Sequence, residues 1–179
     1  MKCGRVMLRP LEKRDMELLR SLLNDPDIAG SMIDHSFPVS ADMQQEWFEK
    51  NVPYEKAHRF MIEADGATVG TIVFSKIDTA NKSGQVGYKV ARAFQGRSYA
   101  TCALQAMQRY LFDDVGIECI IAYHFKSNIS SRRVLEKAGF RYEGIRRKHV
   151  YKNGQRQDVV YWSCDRGHTE SIREDMQTV

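Results

Sequence analysis

The spacing of apolar residues changes several times along the chain, and each change predicts a new element. Alternation over residues 5–8 predicts a short strand, whereas the leucines of residues 11–24 recur at helical spacing until Pro26. Beyond that proline the apolar residues show no regular spacing, and we expect a loop over residues 27–38. Ser40 is suited to cap a second helix. We expect this region to line a binding groove.

Residues 60–90 have a period of two, which is typical of strands. Residues 60–64 and 69–74 flank an Asp-Gly turn, the signature of a hairpin. A second turn at residues 81–84 leads into residues 85–90. We therefore predict an antiparallel meander of three strands.

The rest of the chain alternates between helices and strands. Helical spacing over residues 100–111 ends at Gly116, and the apolar run of residues 119–122 predicts a strand buried on both faces. Another helix covers residues 128–138, and Gly139 stands where a left-handed residue ends a helix. A new strand begins at Phe140 and Tyr142, before a final hairpin.

That final hairpin carries the strongest short-range signal in the chain. Residues 148–151 and 158–162 flank an Asn-Gly pair, which favours a two-residue turn. The length of 179 residues suits one domain over residues 1–179. We expect its core at about residues 5–165 and a frayed or helical tail over residues 166–179.

Composition and charge exclude several classes of protein. With 27 Lys and Arg against 23 Asp and Glu, the formal net charge is +4, too small to demand nucleic acid but compatible with an anionic ligand. The four cysteines form no CxxC pair, so we predict reduced thiols and neither a zinc nor a redox site. No signal peptide or membrane-spanning run is evident, and we predict a cytoplasmic protein without membrane contact.

The first candidate for chemistry is the polar turn at residues 95–101, between a strand ending near Val90 and an amphipathic helix. The N-terminus of a helix exposes unpaired N–H groups and a partial positive charge, which together bind phosphate. Arg92 and Arg97 add positive charge nearby. The alternative is an ordinary solvated strand-to-helix turn.

A second cluster, residues 128–140, favours the phosphate-binding interpretation of the turn over the ordinary solvated turn. Together the two segments resemble the GNAT superfamily of acyl-CoA N-acyltransferases. The matching positions are Gln95, Ala100, Asn128, Ser131, Gly139 and Phe140. The Arg-Pro-Leu opening at residues 9–11 and the hairpin at residues 151–162 are similar to the branch of ribosomal-protein N-terminal acetyltransferase-like enzymes.

The resemblance implies an α/β (α+β) fold with a central mixed, mostly antiparallel twisted sheet of about seven strands flanked by helices. It implies an acetyl group moved from acetyl-CoA to a primary amine by direct attack in a ternary complex, with no metal. The implied catalytic residues are Ser131, placed to donate to the leaving sulfur, and Asn128, which binds pantetheine or an ordered water. The positions implied to bind the co-substrate are Tyr88, Lys89, Val90, Gln95, Gly96, Arg97, Ser98, Tyr99, Ala100, Thr101, Asn128 and Ser131. Asn128 and Ser131 also suit helix capping.

Two positions depart from the family pattern. Ser98 stands where the central glycine of the turn is usual, and Gln85 stands where relatives in this branch often carry a glutamate facing the acceptor. Glutamine cannot act as a general base. The remaining candidate bases are His124, Glu143, His149 and Asp158, and the alternative is a chain of water molecules. Each of these side chains also has a structural interpretation. Asp158, for example, is suited to satisfy a turn or to pair with Arg156.

Other functions stay open at this point. Without the acidic residue and the central glycine, the chain is also readable as a non-catalytic acyl-CoA sensor, and the basic residues 132–133 and 146–148 as a weak nucleic-acid site, although we expect no nucleic-acid partner. The amine acceptor is a protein N-terminus, a polyamine, an antibiotic or a small metabolite. We expect its selectivity in residues 27–54 and the last hairpin, whose edge strands also offer a surface for a homodimer.

Overall fold

The computed structural model describes residues 1–34, 38–51 and 57–167 of the chain. Within them, eight strands form one sheet. The strands are β1 (Lys2–Cys3), β2 (Val6–Pro10), β3 (His58–Ala64), β4 (Ala67–Asp78), β5 (Ser83–Val90), β6 (Cys119–Phe125), β7 (Arg141–Lys152) and β8 (Gln155–Asp165). Their spatial order is β1-β2-β3-β4-β5-β6-β8-β7.

The sheet is mixed and mostly antiparallel, as predicted. Each pair of neighbouring strands in the described residues is antiparallel, except that β5 and β6 run parallel. The predicted meander is confirmed as β3, β4 and β5. The sheet has eight strands rather than about seven because Lys2 and Cys3 pair with Met7 and Val6.

Five helices flank this sheet in the same described ranges. They are α1 (Met16–Asn24), α2 (Pro26–Ser31), α3 (Ala41–Asn51), α4 (Tyr99–Arg109) and α5 (Ile129–Lys137). After α4 a π-helical turn, Tyr110–Val115, leads to Gly116. The φ angle of 79° at Gly116 explains why the helical pattern ends there.

The prediction of a loop over residues 27–38 is wrong, because α2 occupies its first part. The Asp25 carboxylate accepts hydrogen bonds from the N–H groups of Asp27 (2.9 Å) and Ile28 (3.1 Å). Pro26, the first helical residue, needs no hydrogen-bond partner for its nitrogen. An N-cap and a proline therefore start this helix. It buries a single apolar residue, so its sequence shows no periodic pattern of apolar positions.

Apolar residues pack on both faces of the sheet. One face lies against α4, where Ile62, Ile72 and Leu104 are fully buried. The opposite face holds a smaller cluster in which Met61 packs beneath α1 and contacts Trp47 of α3. The sheet therefore has helices on both sides, as expected for this class of fold.

The expectation that residues 119–122 are buried on both faces is wrong. Ile120 and Ala122 are buried, but Ile121 is 36% exposed. Its face of β6 belongs to the side of the sheet covered by α1 and α3, and these helices lie over β3 and β4 instead. The final hairpin is confirmed, with left-handed φ angles of 51° and 78° at its two turn residues, but residues 141–152 form one long irregular strand.

A charged cluster fastens the start of the chain to the sheet. The guanidinium of Arg9 on β2 donates two hydrogen bonds of 2.7 Å to Asp15, in the turn before α1, and one of 2.6 Å to Glu63 on β3. The Arg9 side chain is only 14% exposed. Burial favours the neutral form of Asp15, but the hydrogen bonds from Arg9 and from the Glu12 N–H outweigh it and hold the pKa of Asp15 below its ordinary value.

The described residues contain no helix that is long and apolar enough to cross a bilayer. The four cysteines, all within the described residues, form no disulfide bond, and Cys164 is buried. The predicted tail falls almost wholly on residues 168–179, which lie outside the described part of the chain.

Candidate active site

The central feature of the sheet is a gap between β5 and β6. The two strands pair at only three positions, the last of which joins Gln85 to Ile121. β5 then continues to Val90 and β6 to Phe125 without pairing to each other. The β5 backbone beyond Gln85 therefore presents an edge to an extended ligand, which can pair with it like another strand.

A groove with a cavity volume of about 780 Å³ runs through this gap. Its walls are α2 and the residues after it, β4, β5, β6, the turn before α4, and α5. Eleven of the twelve predicted co-substrate positions line it, and Arg97 does not. Arg97 is exposed, and its guanidinium carbon lies 5.9 Å from the ring centroid of Phe94.

The turn before α4 is shaped to receive an anion. Ser98 stands at the N-cap position of α4 with a φ angle of 63°, in the left-handed region, and its side chain makes no capping hydrogen bond. The first hydrogen bond at this end of the helix runs from the Cys102 N–H to the Ser98 carbonyl, at 3.0 Å, so the N–H groups of residues 99–101 precede the helical ladder. Gln95 donates a hydrogen bond of 2.9 Å to the Val90 carbonyl and ties the turn to the end of β5. These groups and the helix dipole favour a negatively charged ligand.

Across the groove, the start of α5 presents Asn128 and Ser131. The side-chain oxygen of Asn128 accepts the Ser131 backbone N–H at 2.9 Å, so Asn128 caps the helix and Ser131 is its third residue. The Ser131 hydroxyl forms no hydrogen bond with the described residues, and it lines the groove. The Tyr88 hydroxyl, 3.4 Å from the Ser131 carbonyl, joins β5 to α5. Burial raises the pKa of Tyr88 to about 12, so this phenol keeps its proton.

His124, the first candidate base, lines the groove but is fully hydrogen-bonded. Its Nε2 lies 2.9 Å from Nε1 of Trp162, and its Nδ1 lies 2.7 Å from the Phe125 carbonyl oxygen. An indole nitrogen only donates, so Nε2 accepts, and Nδ1 carries the proton and donates. Burial lowers the pKa of His124. The arrangement therefore holds a neutral imidazole with no free nitrogen for an acceptor.

The other three candidate bases do not line the groove. Asp158 accepts a hydrogen bond of 2.9 Å from the Lys148 N–H and lies 3.8 Å from the Lys126 ammonium, so it does not pair with Arg156 as the sequence suggested. Glu143 accepts a hydrogen bond from Ser163. His149 packs its ring edge against Tyr161. These side chains have structural partners on β7 and β8.

The acceptor side of the groove combines part of the region that the sequence analysis expected to line it with two sheet residues that the sequence analysis did not single out. Residues 28–34 form one wall, and Ser75 and Tyr123 lie on the sheet opposite. The Tyr123 hydroxyl lies 3.1 Å from the Lys76 ammonium and 3.3 Å from an Asp34 carboxylate oxygen. The Asp-Pro start of α2 and the alternation along β6 were the signals available. The described parts of α3 and the last hairpin add nothing to the lining, and residues 35–37 and 52–54 lie outside the described chain.

Comparison with known proteins agrees with this geometry. The sequence profile of the "Acetyltransferase (GNAT) domain" family matches residues 5–141. The chain belongs to this GNAT acetyltransferase family. It is 30% identical over 164 residues to the "Putative ribosomal N-acetyltransferase YdaF" of Bacillus subtilis (strain 168), covering 88% of this chain and 90% of that protein. The resemblance inferred from the two sequence motifs is thus confirmed.

Two more distant relatives are named as spermidine acetyltransferases. Spermidine N(1)-acetyltransferase of Escherichia coli (strain K12) is 22% identical over 155 residues, covering 87% of this chain and 83% of that enzyme. The crystal structure of spermidine N-acetyltransferase from Vibrio cholerae in complex with CoA and spermine superposes with a TM-score of 0.86 at 22% identity, covering 92% of this chain and 98% of that one. This likeness confirms the fold.

Membership of the family makes this chain an acetyl-CoA-dependent acetyltransferase, as the sequence predicted. The groove fits the co-substrate, because it combines a helix N-terminus for phosphate, an unpaired strand edge and a hydroxyl opposite that edge. The roles of the individual residues in this groove stay predictions.

Proposed function

We propose that this protein transfers an acetyl group from acetyl-CoA to a primary amine by direct attack within a ternary complex. The observation that carries the proposal is a single groove that passes through the sheet at the gap between β5 and β6. The N-terminus of α4 lies on one face of the sheet at this gap, and Ser75 and Tyr123 lie on the other. The donor enters from the end beside α4 and the acceptor from the end on the opposite face, so that the two meet at the gap.

At the donor end, the free N–H groups at the start of α4 would hold the pyrophosphate of CoA. Ser98 adopts the backbone conformation that glycine would supply, so these groups are already oriented. The edge of β5 would pair with the pantetheine arm. Preorganised backbone groups of this kind lose little entropy when they bind.

The reaction forms a bond between the amine nitrogen and the acetyl carbon and breaks the thioester bond to sulfur. Acetyl-CoA supplies the activated acyl group. A backbone N–H on the β5 edge would stabilise the negative charge that develops on the carbonyl oxygen. The Ser131 hydroxyl would donate to the departing sulfur. The proton of the amine passes to water, because His124 is fully hydrogen-bonded and Gln85 cannot accept a proton.

The proposal is tested by incubating the purified protein with acetyl-CoA and a panel of primary amines. We expect acetyl-CoA to raise the melting temperature, because it binds the folded state. We also expect amine-dependent release of CoA thiol, with an equal amount of N-acetylated product by mass spectrometry. A rise in melting temperature without product from any amine would instead support a non-catalytic acyl-CoA sensor.

A further inference from the structure

Lys89 is unusual among the charged residues of the groove. It lies on β5 opposite Thr71 of β4. Side chains alternate along a strand, so Lys89 shares its face with Gln85 and Gly87, which also line the groove. This face is the one that α1 and α3 cover, and it carries the acceptor end of the groove. The Lys89 ammonium therefore belongs to the acceptor side.

Within residues 1–34, 38–51 and 57–167, Lys89 has no acidic side chain as an ion-pair partner. The same face of the sheet carries Arg59 on β3, whose guanidinium carbon lies 5.0 Å from the ring centroid of Trp47. Neither cation makes an ion pair or hydrogen bond with the residues that the structure describes. Burial lowers the pKa of both, and the charge of Arg59 lowers that of Lys89 further. Lys89 lines the groove, both side chains are partly buried, and two partly buried cations on one face of the sheet are stabilised by an anion that joins them.

The carboxylates in the groove do not supply that anion. Those among the described lining residues are Asp27 and Asp34. Asp27 forms an exposed ion pair with Arg92. Asp34 lies 3.3 Å from the Tyr123 hydroxyl and 3.9 Å from the Lys76 ammonium. Both carboxylates are thus held by other partners.

The remaining lining cations are Arg133 and Lys137, and both lie on α5. Their side chains are exposed to water, which stabilises their charges without a ligand. Both also stand at the donor end. Among the described lining residues, Lys89 is therefore the partly buried cation of the acceptor end.

We propose that Lys89, supported by Arg59, binds a carboxylate of the acceptor, so that the preferred acceptor is a primary amine with a carboxylate close to its amino group. This inference rests on the proposed function and adds the substrate class. Lys89 lies on the part of β5 beyond Gln85 that does not pair with β6, which places the carboxylate beside the gap where the amine reacts. Polyamines, which bring only positive charge, are repelled by the same pair.

The test compares acceptors that differ only in one carboxylate. One arm uses alanine against alaninamide, and the other uses the amidated tripeptides Asp-Ala-Ala and Asn-Ala-Ala. Rates are expressed per concentration of unprotonated amine, because amidation lowers the pKa of the amino group. We expect kcat/KM to be about 10–100-fold higher for the carboxylate member, the range for one hydrogen bond to a charged group. The arm with the larger ratio distinguishes a free amino acid from a peptide.

Three variants assign the preference to Lys89. Lys89→Met keeps the apolar stem and should abolish the preference, whereas Lys89→Arg keeps the charge and should retain it. Lys82→Met is the matched control, because the Lys82 side chain is 62% exposed and does not line the groove. It should leave the ratio unchanged.

Each contrary result is distinguishable. Equal rates for the carboxylate and amide members overturn the inference and leave amine acetylation intact. An equal loss for both members in Lys89→Met, with a displaced pH profile, shows that Lys89 acts on a proton instead. Weaker CoA binding in Lys89→Met would show that the Lys89 ammonium binds the donor, acetyl-CoA, and not the acceptor. Absence of acetylation for every amine contradicts the proposed function itself.

Discussion

At the scale of single residues, the sequence allowed both Asn128 and Ser131 to cap a helix, and the structure distinguishes the two. The cap of α5 is the Asn128 side chain, which accepts the Ser131 N–H. Any residue except proline at position 131 supplies that N–H. The Ser131 hydroxyl is thus not needed for the helix, and its position in the groove makes it available for chemistry.

This separation makes Ser131→Ala informative. We expect kcat and kcat/KM to fall together by about 10–10³-fold, because the hydroxyl donates only as charge develops on the sulfur and water replaces it in part. CoA affinity and the melting temperature should stay nearly constant. The matched variant Asn128→Ala should lose about 1 kcal/mol of folding stability, because it removes the cap. An unchanged kcat in folded Ser131→Ala contradicts the catalytic role.

The backbone of Ser98 is strained by its left-handed conformation in the turn. A left-handed conformation costs a residue with a Cβ atom about 1–2 kcal/mol, and glycine avoids that cost. We therefore expect Ser98→Gly to preserve or improve CoA affinity in calorimetry. Ser98→Ala keeps the Cβ atom and removes only the hydroxyl. A large loss of affinity in both variants would show that the hydroxyl itself binds phosphate.

At the scale of elements, the approach of β4 to β5 depends on one glycine. An added Cβ atom at Gly70 would lie 2.1 Å from the Lys89 carbonyl oxygen, far inside van der Waals contact. The glycine lets β4 hold β5 closely on one side while β5 leaves β6 on the other. Among the described strands, the end of β5 that borders the groove thereby pairs with β4 alone.

The contact among β2, the turn before α1 and β3 depends on Arg9. Arg9→Met leaves two carboxylates without their partner, so we expect a loss of about 3–5 kcal/mol at pH 7, the usual cost of breaking a buried pair. The pKa of Asp15 is lowered in the folded state, so the stabilisation is present above pH 3.8 and is lost as the pH falls through the folded value.

Denaturant titrations at several pH values test this expectation. The difference between wild type and Arg9→Met should narrow as the pH falls below 3.8. Arg20→Met removes an exposed pair with Glu17 and serves as the control, with stability nearly unchanged. Equal losses in the two arginine variants would show that the Arg9 cluster is not a special contact.

At the scale of the whole molecule, the sequence determined the local elements and the family. The meander, the final hairpin and the turn before α4 follow from residues that are close in the chain. Helix α2 was not predicted, although the residues that start it, Asp25 and Pro26, are also neighbours in the chain. The tertiary structure decided where β5 parts from β6, which nitrogen of His124 carries the proton, and that Lys89 lies near Arg59. Each of these depends on contacts between distant segments, and the energy of a buried charge or hydrogen bond is set by what surrounds it in space.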